Sequence, residues 1–394
     1  MNIRFSERTE GLKASEIREL LKLTEEPEII SFAGGLPAPE LFPIEQMEVI
    51  SKTVLREQGK EALQYSTTEG FKALREIIAN QRLINAGVNV SPDDIMITSG
   101  SQQGLEFSAK IFINKGDVII CESPSYLGAL NAFKAYEPKF IEIPMDENGM
   151  KVDLLEKALI ENKNVKMVYT IPDFQNPSGI TMSVERRKKI AELAKEYCVP
   201  VIEDSPYGEL IFEGTALPSI KSFDKEGWVV FLGTFSKTFC PGLRLGWVCA
   251  CPEILQKYIV VKQGADLQCS TISQREAALF MQKYSLDKHI EEIKKVYKSR
   301  KNLMIDSMKK YFPNGVTYTN PKGGLFTWVE LKPELDAKVI LEEAIKEKVA
   351  FVPGESFYAN GGKANHFRLN YSSTSEEKIV EGIKRLGNVL KKFY

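Results

Sequence analysis

The chain has 394 residues, 43% hydrophobic and 27% charged, proportions expected of a soluble globular protein too long for one small core. Its 52 basic and 53 acidic side chains leave a formal net charge of −1, so nothing in the balance points to nucleic acid or an anionic membrane as partner. No run reaches the roughly eighteen apolar residues of a membrane span, and the charged start MNIRFSERTEGLKASEIREL holds no apolar leader core.

The first predicted element is an amphipathic helix with Ile17, Leu20 and Leu21 on its apolar face and Arg18 beside them. The Gly/Pro-rich segment 31–43, SFAGGLPAPELFP, reads as a linker, although Gly34 and Gly35 would let backbone approach a ligand closely. From about 94 to 250, Val/Ile-rich runs alternate with helical patterns. Strands are predicted at 94–100, 116–122, 165–172, 199–205, 228–236 and 246–251, and their lack of strict alternation suits strands covered on both faces. Helices are predicted after residue 100 through Phe112, at 153–163 and at 184–198, where the basic run 186–189 reads as a solvated face. A long amphipathic helix over 286–311 then leads into the apolar run 323–331, a helix near 338–348, and short runs at 350–354 and 366–372. The order predicts an α/β domain with a mostly parallel sheet, followed by a smaller α+β domain. In such sheets ligands gather at the carboxyl ends of strands.

The six cysteines (Cys121, Cys198, Cys240, Cys249, Cys251 and Cys269) form no C-x-x-C and no Cys/His cluster. Neither zinc nor a disulfide framework is expected, and a reducing cytoplasm fits best. The two histidines, His289 and His366, stand near no nucleophile motif, which weakens any triad-hydrolase or histidine–metal proposal. Chemistry must rest elsewhere, and four features sit where predicted strands end. In TSGSQQG (98–104) a helix start with Ser101 and Gln102 forms either a cap or a phosphate cradle. Asp204 ends VPVIED and is either a cap or the partner of a buried cation; Glu203 points to the other side of its strand. Asn176 lies in PDFQNPSG (172–179), where an Asn-Pro turn is the simpler reading. Thr234, Ser236, Lys237 and Arg244 follow a buried strand, and the hydroxyls and fork-shaped guanidinium suit a phosphate dianion.

Taken together, SKTFCPGLRLGW (236–247), NPSG (176–179) and EDSPY (203–207) resemble, in order and spacing, the landmarks of class I/II aminotransferases of fold type I. The similarity covers nearly the whole chain. SFAGGLPAPELFP, LQYSTTEGFKALRE, ITSGSQQGLE, PKGGLFTW and FVPGESFYANGG look especially like the 2-aminoadipate and kynurenine aminotransferase branch. The resemblance implies an α/β large domain with a mostly parallel seven-stranded sheet between helices, over 45–290, and a small α+β domain over 291–394, joined by an N-terminal arm and helix over 1–44. It implies pyridoxal 5′-phosphate as cofactor, no metal, and Lys237 as the amine that binds the aldehyde and later moves the substrate proton. Asp204 would pair with the pyridine nitrogen, Asn176 and Tyr207 would donate to the phenolate oxygen, and Tyr126 of ESPSYLG would stack on the ring. Ser101, Gln102, Thr234, Ser236 and Arg244 would hold the phosphate, with Tyr65 reaching across a homodimer interface to the other subunit's site. Arg368, helped by Asn176 and the Gly35 backbone, would grip the substrate carboxylate, and Arg18 aligns with an arginine that contacts acidic side chains.

The implied reaction carries the amino group of an L-amino acid, foremost 2-aminoadipate and otherwise an aromatic or branched one, to 2-oxoglutarate in two ping-pong half-transfers. Thr234 stands where a serine is common, and Asp173 sits in a loop expected near the side-chain pocket. Two other readings share the fold: a pyridoxal-phosphate β-lyase, and a non-catalytic regulatory protein that binds the cofactor. The second should carry a DNA-binding helix-turn-helix or a basic patch, and neither is read here. A nicotinamide dehydrogenase is set aside because no G-x-G-x-x-G follows a strand.

Overall fold

In this computed structural model, residues 3–10 and 28–394 are described, and Arg18 lies outside them. Strands β1 (Ile30–Ser31), β2 (Ile95–Thr98), β3 (Val118–Ser123), β4 (Lys139–Asp146) and β5 (Gly149–Met150) come first. Next are β6 (Val165–Thr170), β7 (Val201–Ser205), β8 (Val229–Thr234) and β9 (Gly246–Cys249). Last come β10 (Thr317–Tyr318), β11 (Phe326–Glu330), β12 (Val349–Ala350), β13 (Val352–Pro353) and β14 (His366–Asn370).

The main sheet is eight-stranded in the order β2-β9-β8-β7-β6-β3-β4-β5. From β8 to β4 every neighbouring pair is parallel. β9 runs against both of its neighbours, β2 and β8, and β5 is a two-residue hairpin return on β4. The mostly parallel sheet of seven strands is therefore present, with β5 as a short eighth. Successive residues face opposite layers, as the pleat requires. Ile119, Tyr169, Ile202 and Val230 pack with Leu105 and Phe133, whereas Ile120, Val168, Val201 and Val229 pack with Leu155 and Ile190. Burial on both faces is why these strands read as continuous apolar runs.

β4 was not among the predicted strands. KFIEIPMD mixes Lys139, Glu142 and Pro144 into its apolar residues, and most of it is half-exposed beside the sheet edge, where polar residues and proline are tolerated. The segment after β1 corrects the linker reading. Phe32, Ala33 and Ala38 are fully buried. Phe32 N–H donates to Ala350 O at 2.8 Å, Asn370 N–H donates to Phe32 O at 2.9 Å, and Ser372 Oγ donates to Leu36 O at 2.7 Å. The run is thus laid along β14, inside the smaller antiparallel sheet's surroundings, where β10-β11-β14-β13 lie in order. Helices Leu286–Tyr311 and Glu376–Leu390 pack against each other beside that sheet. No described helix is long and apolar enough to cross a membrane.

β2, β3, β6, β7 and β8 share one direction, so the residues that follow them gather at one edge. β9 approaches that edge very closely: a Cβ on Gly246 would lie 2.7 Å from both the Gly100 carbonyl carbon and the Ser101 nitrogen. Gly246→Ala is expected to lower stability by about 1–3 kcal/mol, read as a lower melting temperature of the cofactor-free protein. A melting temperature equal to the parent's would contradict this close approach.

Candidate active site

Asp204 shares the face of Ile202 and Tyr169, while Glu203 points to the opposite layer and accepts from Ile220 N–H and Lys221 N–H at 2.8 Å each. Asp204 is 1% exposed. Its Oδ2 accepts from the Tyr169 hydroxyl at 3.0 Å, and its Oδ1 has no partner among the described residues. Burial pushes the carboxyl up to about 7, against the pull of the Tyr169 hydrogen bond and the Lys237 charge.

Lys237 follows β8 and is half-buried; its Nζ donates to Gly35 O at 2.8 Å. Burial, then the like charges of Arg368 and Arg244, bring its amine down to about 8 despite Asp204. Gly35 therefore meets the site through its carbonyl, aimed at the lysine.

Gly100 has φ +71° and opens helix Ser101–Phe112, whose first N–H groups have no intrahelical acceptor. Over this turn lies Arg244, which donates to Ser236 Oγ at 3.4 Å and to Ser99 O at 3.5 Å. A Cβ on Gly100 would stand 2.7 Å from Arg244 Nη2, so glycine is required both by the dihedral and by the guanidinium. Thr234 Oγ1 donates to Ser236 Oγ at 3.0 Å, and Gln102 Nε2 turns outward to Gly128 O at 2.9 Å. The Tyr126 ring lies against Gly128, where a Cβ would be 2.5 Å from its hydroxyl.

Arg368, on β14, is 2% exposed. It donates to Asn176 Oδ1 at 2.8 Å and to Ala33 O at 2.7 Å, and its Nε has no partner among the described residues. Its guanidinium lies 4.1 Å from the Phe326 ring centre and 5.1 Å from that of Phe357. No carboxylate pairs with it among the described residues, and burial brings it down to about 10. A buried cation in that state is costly until an anion arrives. Asn176 Nδ2 donates to the Tyr207 hydroxyl at 3.4 Å, both residues being 3% exposed.

The structure thus brings together Lys237, Asp204, Asn176, Tyr207, Arg368 and Gly35, with Ser101, Thr234, Ser236 and Arg244 at the helix start. Tyr65 is not in the cluster and stands 78% exposed. Asp173 is spoken for: its carboxylate pairs with fully buried Arg187 at 2.5 Å, and that guanidinium also donates to Pro172, Met182 and Pro218 carbonyls. It pins the base of the 172–182 turn. Sequence reasoning missed Tyr169, Glu122, Gln175, Phe326 and Phe357. Of these, Glu122 closes the predicted strand 116–122 as Asp204 closes its own, and Tyr169 lies inside the predicted strand 165–172; the other three left no signal.

Pyridoxal phosphate fits these residues. A protonated ring nitrogen supplies what the unpartnered Asp204 oxygen lacks, a phosphate dianion suits Arg244 above free helix N–H groups, and an aldehyde meets an amine whose pKa is near 8. A cleft of about 930 Å³ between Tyr197, Trp228 and Ile254 opens at the opposite ends of the strands and contains none of these residues.

The family model for aminotransferase class I and II matches residues 39–386. Aromatic-amino-acid aminotransferase 1 of Thermococcus litoralis is 49% identical over 98% of this chain and 94% of its own length. The 2-aminoadipate transaminase of Thermus thermophilus is 42% identical over 96% of this chain and 94% of its own. Among solved structures, the Pyrococcus horikoshii kynurenine aminotransferase in complex with PMP superposes with a TM-score of 0.95 at 47% identity, covering 99% of this chain and 97% of that one.

A carboxyl raised from 3.8 to about 7 on folding holds its proton more tightly in the folded state. Its contribution therefore favours folding at low pH and is lost as pH rises through that window. Asp204→Asn removes the penalty, so the cofactor-free variant should be more stable than the parent at pH 8, by at most roughly 4 kcal/mol, and should lose less stability between pH 4 and 8. Melting curves of the two proteins across that range test this; equal pH dependence would contradict it.

Proposed function

The chain belongs to the class I and II aminotransferases and is a pyridoxal-phosphate-dependent transaminase; on that premise we propose which residues do the work and on what substrate. The observation that carries the assignment is the pairing of a depressed lysine amine with a buried, half-unsatisfied carboxylate at one sheet edge. When bound, pyridoxal phosphate supplies an aldehyde for amines to attack and a pyridine ring that withdraws electrons from the substrate carbon.

Lys237 Nζ would be the covalent anchor for the cofactor aldehyde and the base that moves the substrate Cα proton. Its lowered pKa leaves a useful neutral fraction near physiological pH, which an ordinary lysine lacks. Asp204 would hold the proton on the ring nitrogen. Asn176 and Tyr207 would donate to the phenolate oxygen, and Tyr126 would cover the ring. The Ser101 helix start, with Gln102, Thr234, Ser236 and Arg244, binds the phosphate. Tyr65 would complete that cradle from a second copy of the chain, a reading supported by its 78% exposure and by exposed Leu63 two residues before it. Arg368 grips the substrate α-carboxylate, which would relieve the unpaired charge, and Asn176 sets its plane.

Residues 45–290 form the larger domain, and 291–394 with the described residues 28–44 of the arm form the smaller one, a division supported by the pairing of β1 with β12. The amino acceptor is 2-oxoglutarate and the mechanism is ping-pong. We rank aromatic donors first and 2-aminoadipate second, because the aromatic relative is 49% identical and the 2-aminoadipate relative 42%. A cytoplasmic location is supported by six free cysteines.

A panel of aromatic, acidic and branched amino donors against 2-oxoglutarate tests the substrate reading, and turnover with none of them would overturn it. Lys237→Ala should fold and abolish turnover, and undiminished turnover would refute the assignment. Arg368→Met should raise KM for amino and oxo acids by about a hundredfold, with the cofactor still bound. An unchanged KM would remove Arg368 from the carboxylate site.

A further inference from the structure

Glu122 is the last fully buried residue of β3, and no cation pairs with it among the described residues. It is fully buried, and its Oε1 accepts from Thr170 Oγ1 at 2.5 Å. Its Oε2 accepts from Ile171 N–H at 3.2 Å and from Gln175 Nε2 at 3.1 Å. Gln175 is equally buried, and every polar site on its amide is used. Its Nε2 also donates to Pro124 O at 2.8 Å, and its Oε1 accepts from Ser178 N–H at 2.9 Å and Ser178 Oγ at 2.7 Å. Burial pushes the Glu122 carboxyl up to about 7 while the three hydrogen bonds oppose it, so the group is held here at a cost that ordinary packing does not require.

The position of this bracket matters. Pro124 precedes Tyr126 by two residues, and Gln175 immediately precedes Asn176. The first loop is also tied outward, since Ser125 N–H donates to Phe357 O at 2.7 Å, and Phe357 flanks the guanidinium of Arg368. The second loop is tied to the same arginine through Asn176. One amide side chain therefore fixes the separation of the two loops that face the cofactor ring and the substrate carboxylate.

We propose that Glu122 and Gln175 are a positioning pair that sets the slot between Tyr126 and Asn176, and through Asn176 the orientation of Arg368. The inference rests on the roles given above to Tyr126, Asn176 and Arg368. Glu122 acts as the fixed acceptor that orients the Gln175 amide, and Gln175 as the strut between the loops. Neither residue touches substrate or cofactor. The carboxylate form is not essential to the strut. A glutamine at 122 can accept from Ile171 and Gln175 with its oxygen while its nitrogen donates to Thr170 Oγ1, whose hydroxyl turns round.

The test uses the full chain with Gln175→Met, Glu122→Met, Glu122→Gln and the double methionine variant. Dissociation constants for pyridoxal phosphate are measured by titrating cofactor-free protein, together with KM and kcat for an active donor and melting temperatures without cofactor. Gln175→Met and Glu122→Met should each weaken cofactor affinity and raise donor KM by about ten- to a hundredfold, with a smaller loss in kcat. Glu122→Gln should restore both to within about threefold of the parent, and the double variant should be little worse than either single one, as members of one strut should be. Should Gln175→Met melt too low to study, the Glu122→Met and Glu122→Gln contrast carries the same expectation. Lower melting temperatures with unchanged affinity and KM would make the pair merely structural and overturn the proposal, as would additive effects in the double variant. Failure of the parent protein itself to bind pyridoxal phosphate would instead sink the functional reading beneath it.

Discussion

A carboxylate with one unsatisfied oxygen, carried into the layer beneath a parallel sheet edge, is the constraint around which the site is arranged. Asp204 is held there by strands packed on both faces and is steadied within the protein by Tyr169 and the nearby charge of Lys237. Such a group destabilises the fold that carries it unless a ligand brings a complementary proton or cation. The same incompleteness recurs at Arg368, whose guanidinium lies near two phenylalanine rings with no carboxylate among the described residues to meet it. One unfinished anion and one unfinished cation, with a lysine between them in charge, describe a pocket built for a cationic ring and an anionic amino acid. Strain of this kind is where function and stability part company.

Those charges come from distant parts of the chain, and the packing that joins them is specific. β6 to β8 supply Asn176, Asp204 and Lys237 from consecutive strands, whereas Arg368 arrives on the antiparallel sheet. The segment 32–38 is the bridge. It lies along β14, gives Ala33 O to Arg368 and Gly35 O to Lys237, and is anchored further out by Ala38 N–H on the Tyr297 hydroxyl at 2.9 Å. Movement of this segment would act on anchor and grip together.

Much of this was legible in the sequence. The strands buried on both faces announced themselves as Val/Ile runs, and the long helix Leu286–Tyr311 appeared at its predicted span because its apolar stripe is continuous. Lys237, Asp204, Asn176 and Arg244 could be singled out because each follows or ends such a run. What escaped was decided by tertiary contact. β4 is half-exposed and interrupted by polar residues and Pro144, so neither periodicity marks it. The 31–43 segment looked like a linker because its glycines and prolines hide the fact that its backbone hydrogen bonds go to residues some 300 positions away. Asp173 drew attention as a pocket residue, yet its partner Arg187 sits in a run of basic residues that looked uniformly solvated; only the fold separates Arg187, fully buried, from its neighbours. Glu122 closes the predicted run 116–122 as Asp204 closes its own, but nothing local separates it from a cap, and Gln175 left no pattern at all.

The account stands or falls on the amine at 237. Purified protein mixed with pyridoxal phosphate, reduced with borohydride and digested, should yield the cofactor's mass on the peptide containing Lys237, with the labelled fraction rising as pH passes through about 8. Label confined to exposed surface lysines, with the residue-237 peptide unmodified, would contradict it.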